Sequence, residues 1–101
     1  MDRLQYLLSK LAEEASEVSQ IALKSQQFGL DEVYPKVGIS NKERIHEELN
    51  DLMAIVGMLN DEFYFSFTNN FGHHLDKEDK VNRYFEVSKN LWYKRMISDD
   101  T

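Results

Sequence analysis

The feature that most constrains this chain is a pair of apolar stripes at helical spacing, each flanked by gathered carboxylates. Residues 2 to 28 place Leu4, Leu7, Leu8, Leu11, Ala15, Val18 and Ala22 at the i, i+3, i+4, i+7 positions of one helical face. Glu13, Glu14 and Glu17 stand beside that stripe, and no lysine follows them until Lys24. A second stripe carries Ile45, Leu49, Leu52, Val56, Leu59 and Phe63, with Glu47, Glu48 and Asp51 beside it. Gly29 is a stop signal for the first helix. Residues 30–40 hold Pro35 and Gly38 and read as a loop with room for one helical turn. Ser40 and Glu43 form S-x-x-E, a capping box that starts the second helix.

The second helix is expected to end between Asp61 and Thr68. FYFSF, residues 63–67, is strand-like by composition but has no partner strand, and reads as a continuing or capping apolar segment. TNNFGHHL, residues 68–75, reads as a loop. Asp76 is then the cap of a third, shorter helix striped with Val81, Tyr84, Phe85, Ser88, Leu91 and Trp92, and the tail SDDT is expected to fray. The expected fold is all-α: an antiparallel long helix pair plus a third C-terminal helix, in one domain over residues 1–101.

Charge and composition exclude several functions. A formal charge of -6 argues against binding the nucleic-acid backbone, which needs clustered Lys and Arg. An acidic chain that takes an anionic ligand needs a metal ion between them. The absence of cysteine removes disulfides and thiolate zinc sites. Charges interrupt the apolar residues of MDRLQYLLSKLAEE, so no signal peptide is expected, and no apolar run is long enough to span a membrane. These points predict a soluble protein of the cytoplasm. At this length a core is small, so association between subunits is expected to enlarge it.

The carboxylates have a geometry. At ~100° per residue, Glu14 lies roughly 75° and Glu17 roughly 130° to one side of the first apolar centre. Glu48 and Asp51 lie roughly 60° and 120° to the same side of the second. Antiparallel helices that face each other are related by a two-fold axis, so equal offsets of equal sign share one side of the pair. Four acids then converge at the edge of the core, where they repel and lose hydration unless a proton or cation joins them. Magnesium takes oxygen ligands and keeps positions open for phosphates. Glu13 and Glu47 sit further out, placed to ligate a second ion, hold a water or face solvent. E-E-x-x-E by itself more often marks a solvated face. The two matched motifs, with no cation at the intervening turns, favour a metal site.

Glu13-Glu14-x-x-Glu17 followed by Glu48-x-x-Asp51 resembles the EExxE…ExxD signature of the MazG-like, all-α nucleoside triphosphate pyrophosphatases. KSQQFGL, the loop with Pro35, SNKERIHEELNDLMAIVGML and KVNRYFEVSKNL are similar to the small single-domain bacterial and phage members, over residues 4 to about 93. The aromatic-rich FYFSFTNNFGHH departs from that pattern. The resemblance implies hydrolysis of a nucleoside triphosphate between the α- and β-phosphates. It implies Mg²⁺, replaceable by Mn²⁺, held by Glu14, Glu17, Glu48 and Asp51, with Glu13 an additional ligand. It also implies a homodimer or homotetramer, a multi-subunit helical bundle.

Other residues are candidates with plain alternatives. Lys24, Lys80 and Arg83 are candidates for phosphate contacts, although a lone lysine is usually solvated; Lys80 and Arg83 share a helical face. Asn41 is a candidate for a base or phosphate contact, although a helix-start asparagine needs no such role. Tyr84 is a candidate to stack on a base; Phe28 and Trp92 read as core. A di-iron carboxylate bundle needs two Glu-x-x-His motifs, and only Glu43-x-x-His46 matches, facing away from the stripe. The competing class is a non-catalytic acidic interaction module.

Overall fold

The computed structural model describes the backbone of residues 1–99 and the side chains of residues 1–91. Trp92 and the end of the SDDT tail therefore lie outside the described residues. Three helices are present: α1, Arg3–Phe28; α2, Asn41–Phe63; and α3, Phe71–Asp99. No strand forms among the described residues; Val33 and Ser40 make one isolated antiparallel bridge. The chain divides into two compact units, Met1–Phe67 and Thr68–Thr101.

In the first unit, α1 and α2 pack together and run antiparallel. Both ends of the pair show it. Arg3 at the start of α1 donates from Nε and Nη2 to the two carboxylate oxygens of Glu62 near the end of α2, at 3.0 and 3.2 Å. At the other end, Asn41 Nδ2 donates to the Gly29 carbonyl at 2.9 Å. Asp2 caps α1 through the Gln5 N–H, and the Gln5 side chain reaches back to the Asp2 N–H, a complete capping box. Gly29 ends the helix with φ 95°, a backbone conformation open to glycine, and its N–H bonds the Ser25 carbonyl at 2.7 Å. Ser40 accepts from the Glu43 N–H, as S-x-x-E predicts.

The 30–40 connection is a tied loop. Val37 and Gly38 donate to the Tyr34 carbonyl, while the Asn41 and Lys42 N–H groups donate to Glu32 and Leu30. FYFSF caps α2. Tyr64 takes a left-handed conformation, its N–H bonding the Leu59 carbonyl, and the Asn60 amide bonds the Phe67 backbone in both directions at 2.9 and 3.0 Å.

The seam between α1 and α2 is turned away from the apolar centres read in the sequence. On α1 the buried residues are Leu7, Ile21 and Ser25. Leu7, Glu14 and Ile21 are seven residues apart, two helical turns each, so Glu14 stands on the buried line rather than well to its side. On α2 the buried residues are Asn41 and Leu59, and Glu48 follows Asn41 by the same seven residues. The other shoulder of each stripe is left open: Leu4, Leu8, Leu49 and Met53 are all exposed. Those shoulder residues pulled the apparent apolar centres away from the contact line.

The second unit differs from its expectation. Its helix begins at Phe71, not after Asp76, and is the longest of the three at 29 residues. Asn70 is the cap: its Oδ1 accepts from the His73 N–H at 2.9 Å. An asparagine cap is as good as an aspartate one, and Gly72 in the first turn, where N–H groups lack helical partners anyway, does not break the helix. Every described side chain of α3 is exposed.

A candidate metal centre in the helix seam

α1 and α2 each bring a glutamate to the same level of the seam. Glu14, Glu17 and Glu48 are half-buried, and each offers a carboxylate oxygen within 4.8 Å of the others. Ligands on opposite sides of one magnesium ion stand ~4.2 Å apart, from bonds of ~2.1 Å, so a small adjustment lets one ion reach all three. Glu14 Oε2 and Glu48 Oε2 are buried without any hydrogen-bond donor. Bare carboxylates only accept, so these acids cannot satisfy one another until a proton or a cation enters.

The ionisation behaviour follows. The Glu48 carboxyl is pushed up from its ordinary 4.5 to about 7, first by a hydrogen bond with Glu17 that requires a shared proton, then by burial, then by the charges of Glu17, Asp51 and Glu14. Glu14 is raised as well, first by burial and then by Glu17, with Asp51 and Glu13 adding to it. Two acids that resist ionisation in one spot, with two orphaned oxygens, can be satisfied either by a proton or by a cation. The donor set is hard oxygen throughout, which suits Mg²⁺ or Mn²⁺ over softer metals.

The remaining candidates are placed as follows. Asp51 is exposed and stands at the rim, close enough to act on both Glu14 and Glu48. Glu13 is exposed and holds Lys10 Nζ at 3.0 Å. That contact corrects the expectation that no cation accompanies the acids. Lys10 lies one turn before Glu14, and its ammonium also stands 5.7 Å from the Tyr6 ring centroid. The sequence carries the signal, since Lys10 precedes Glu13 by three and Glu14 by four.

Lys24 is half-buried two turns beyond Glu17, with Nζ 5.4 Å from the Tyr34 ring centroid. Asn41 is fully buried; its amide donates to the Gly29 carbonyl and to Glu32, which ties the 30–40 loop to α2. Its Oδ1 accepts from nothing. Lys80, Arg83 and Tyr84 belong to α3 and are exposed; Arg83 pairs with Asp79 at 3.0 Å. Phe28, expected in the core, is 55% exposed beside the Gly29 turn. No helix among the described residues is long and apolar enough to cross a membrane.

Comparison of the chain with protein-family models, with curated proteins and with solved structures finds no match.

Proposed function

We propose that this chain is a magnesium-dependent nucleoside triphosphate pyrophosphohydrolase of the MazG-like kind, cleaving between the α- and β-phosphates to give a nucleoside monophosphate and pyrophosphate. The observation that carries this reading is the seam cluster: Glu14, Glu17 and Glu48 within 4.8 Å, with donorless buried oxygens on Glu14 and Glu48. A solvated acidic face has no reason to bury carboxylate oxygens without partners. The repeated acidic spacing of α1 and α2, and its resemblance to the EExxE…ExxD pattern, supply the reaction class.

The residues fit the ion by their chemistry. Glu14, Glu17 and Glu48 would hold it, Asp51 would add charge at the rim, and Glu13 stands beside them. When bound, the ion supplies neutralisation of the triphosphate and acidification of an attacking water. The protein's own part is to hold the acids on two helices that cap and end-to-end contacts keep in register. On the helix pair Lys24 remains a proposed substrate contact, whereas Asn41, fully buried and committed to the 30–40 loop, does not; a cytoplasmic homodimer or homotetramer is the proposed form. The uncovered shoulders at Leu4, Leu8, Leu49 and Met53 support association. The same exposed residues favour, as a second reading, an acidic helical interaction module without catalysis.

One assay separates the two. A panel of ribo- and deoxyribonucleoside triphosphates is incubated with Mg²⁺, with Mn²⁺ or with excess chelator, and monophosphate and pyrophosphate are quantified. Metal-dependent release of both products from any member supports the enzyme. Full activity in chelator would sink the metal site, and silence across the panel would leave the interaction module.

A further inference from the structure

We propose that Lys10 binds the phosphates of the nucleotide at this site, resting on the metal-centre reading above. Three features of its placement point to this. Lys10 is one helical turn before Glu14, so its chain projects along the face that carries the acids. Its ammonium is held at 3.0 Å by Glu13, the acid next to the cluster, in an ion pair whose two side chains are 35% and 51% exposed. An exposed pair of that kind is weak, so its lysine exchanges readily for a stronger anion. Tyr6 holds the ammonium from the other side, its ring centroid 5.7 Å away, which keeps the lysine near the acids without neutralising it.

The other cations near the seam are less suited. Arg3 is committed to both oxygens of Glu62. Lys24 is two turns from Glu17, roughly 10 Å along the helix. Arg44 holds on α2 the place that Lys10 holds on α1, four residues before Glu48, but among the described residues no ion pair joins it to the acids. Lys10 thus has two positions within one reach: on Glu13 when the nucleotide is absent, and on a terminal phosphate of the metal-bound nucleotide when it is present. Glu13, released, is then free to act as the additional ligand.

The test titrates Mg²⁺ alone, and then magnesium pyrophosphate, into wild type, Lys10→Met, Lys10→Gln, Lys10→Arg and Lys24→Met, with thermal melts of each. Lys10→Met and Lys10→Gln should bind Mg²⁺ as well as wild type or tighter, because a positive charge has left the neighbourhood. They should bind magnesium pyrophosphate about ten- to a hundredfold more weakly, the scale of one hydrogen bond to a charged group. Lys10→Arg should keep most of the affinity. A merely structural role would weaken both ligands together and lower the melt. Equal pyrophosphate affinity in wild type and both neutral variants, or a larger loss in Lys24→Met, overturns the assignment while leaving the metal site standing. A wild-type protein that binds neither ligand overturns the metal site and this role with it.

Discussion

The two units of this chain solve opposite problems. Residues 1–67 carry twelve acids against six bases, while residues 68–101 carry six against six, so the whole net charge belongs to the helix pair. All five buried side chains among the described residues also belong to the helix pair. In α3, described acids and bases pair along the helix itself, as in Arg83–Asp79 and Lys89–Glu86. The helix pair instead turns Glu14 and Glu48 toward each other. An exposed, self-neutralised helix needs nothing further for its charges. A seam that buries like charges does, and that difference is why the candidate site is placed on α1 and α2.

The contrast is most sharply tested at asparagines. Asn41→Ala should cost about 2 kcal/mol, because it strips the Gly29 carbonyl of its donor and unties the loop. Asn82→Ala, on exposed α3, should stay within ~0.5 kcal/mol. Chemical denaturation of both variants reads the difference, and equal losses would mean that α3 is as tightly held as the seam.

Acids come next. Glu48→Gln should cut turnover at least about tenfold, ~1.4 kcal/mol of transition-state stabilisation, while the metal-free protein melts no lower and even higher. Glu78→Gln should leave turnover alone. Similar turnover in the two variants would reduce the seam acids to an ordinary solvated face.

The pH dependence has a definite sign. A carboxyl raised from 4.5 to about 7 holds its proton more tightly in the folded chain than in the unfolded one. Its contribution to stability is present in full below 4.5 and is lost as pH rises through 7. The metal-free melting temperature should therefore fall across that window, and Glu48→Gln should flatten the fall. Saturating Mg²⁺ should restore stability at the upper end, where the acids are ionised and the cation replaces the proton. A metal-free melt that rises from pH 5 to 7 would contradict the cluster.

The smallest effect is expected at Glu43→Gln, which faces away from the acids. Loss of its charge beside the Ser40 cap should cost a few tenths of a kcal/mol and leave turnover unchanged. A drop in turnover matching that of Glu48→Gln would show that any acid on α2 serves equally.

Much of the helix pair was legible in the sequence, because its boundaries rest on local chemistry. Gly29 supplies a conformation few other residues adopt, and Ser40 supplies a hydroxyl to the Glu43 N–H. The convergence of Glu14, Glu17 and Glu48 was legible too, since helical spacing and antiparallel pairing determine it, but the expected fourth acid, Asp51, stands exposed outside that group. The rotation of the seam was not. Periodicity reports every apolar residue on a face, covered or not, and Leu4, Leu8, Leu49 and Met53 weigh on that average while lying outside the contact. The start of α3 was not legible, because Asn70 and Asp76 offer equivalent caps and Gly72 between them is tolerated in a first turn. Lys10 was missed because a helix projects its contacts three and four residues in both directions.

The antiparallel arrangement of α1 and α2 has one more consequence, for the backbone's own electric field. Glu14 and Glu48 stand well inside their helices, more than one turn from either end. The partial charges of a helix macrodipole act mainly within its terminal turns, and two opposed helices cancel much of what remains. Neither helix end therefore helps to hold a cation or a phosphate at this level of the seam. At the proposed site, attraction would come from ionised side chains alone, so its affinity would be retuned one carboxylate or one lysine at a time without disturbing the caps that keep the helices in place.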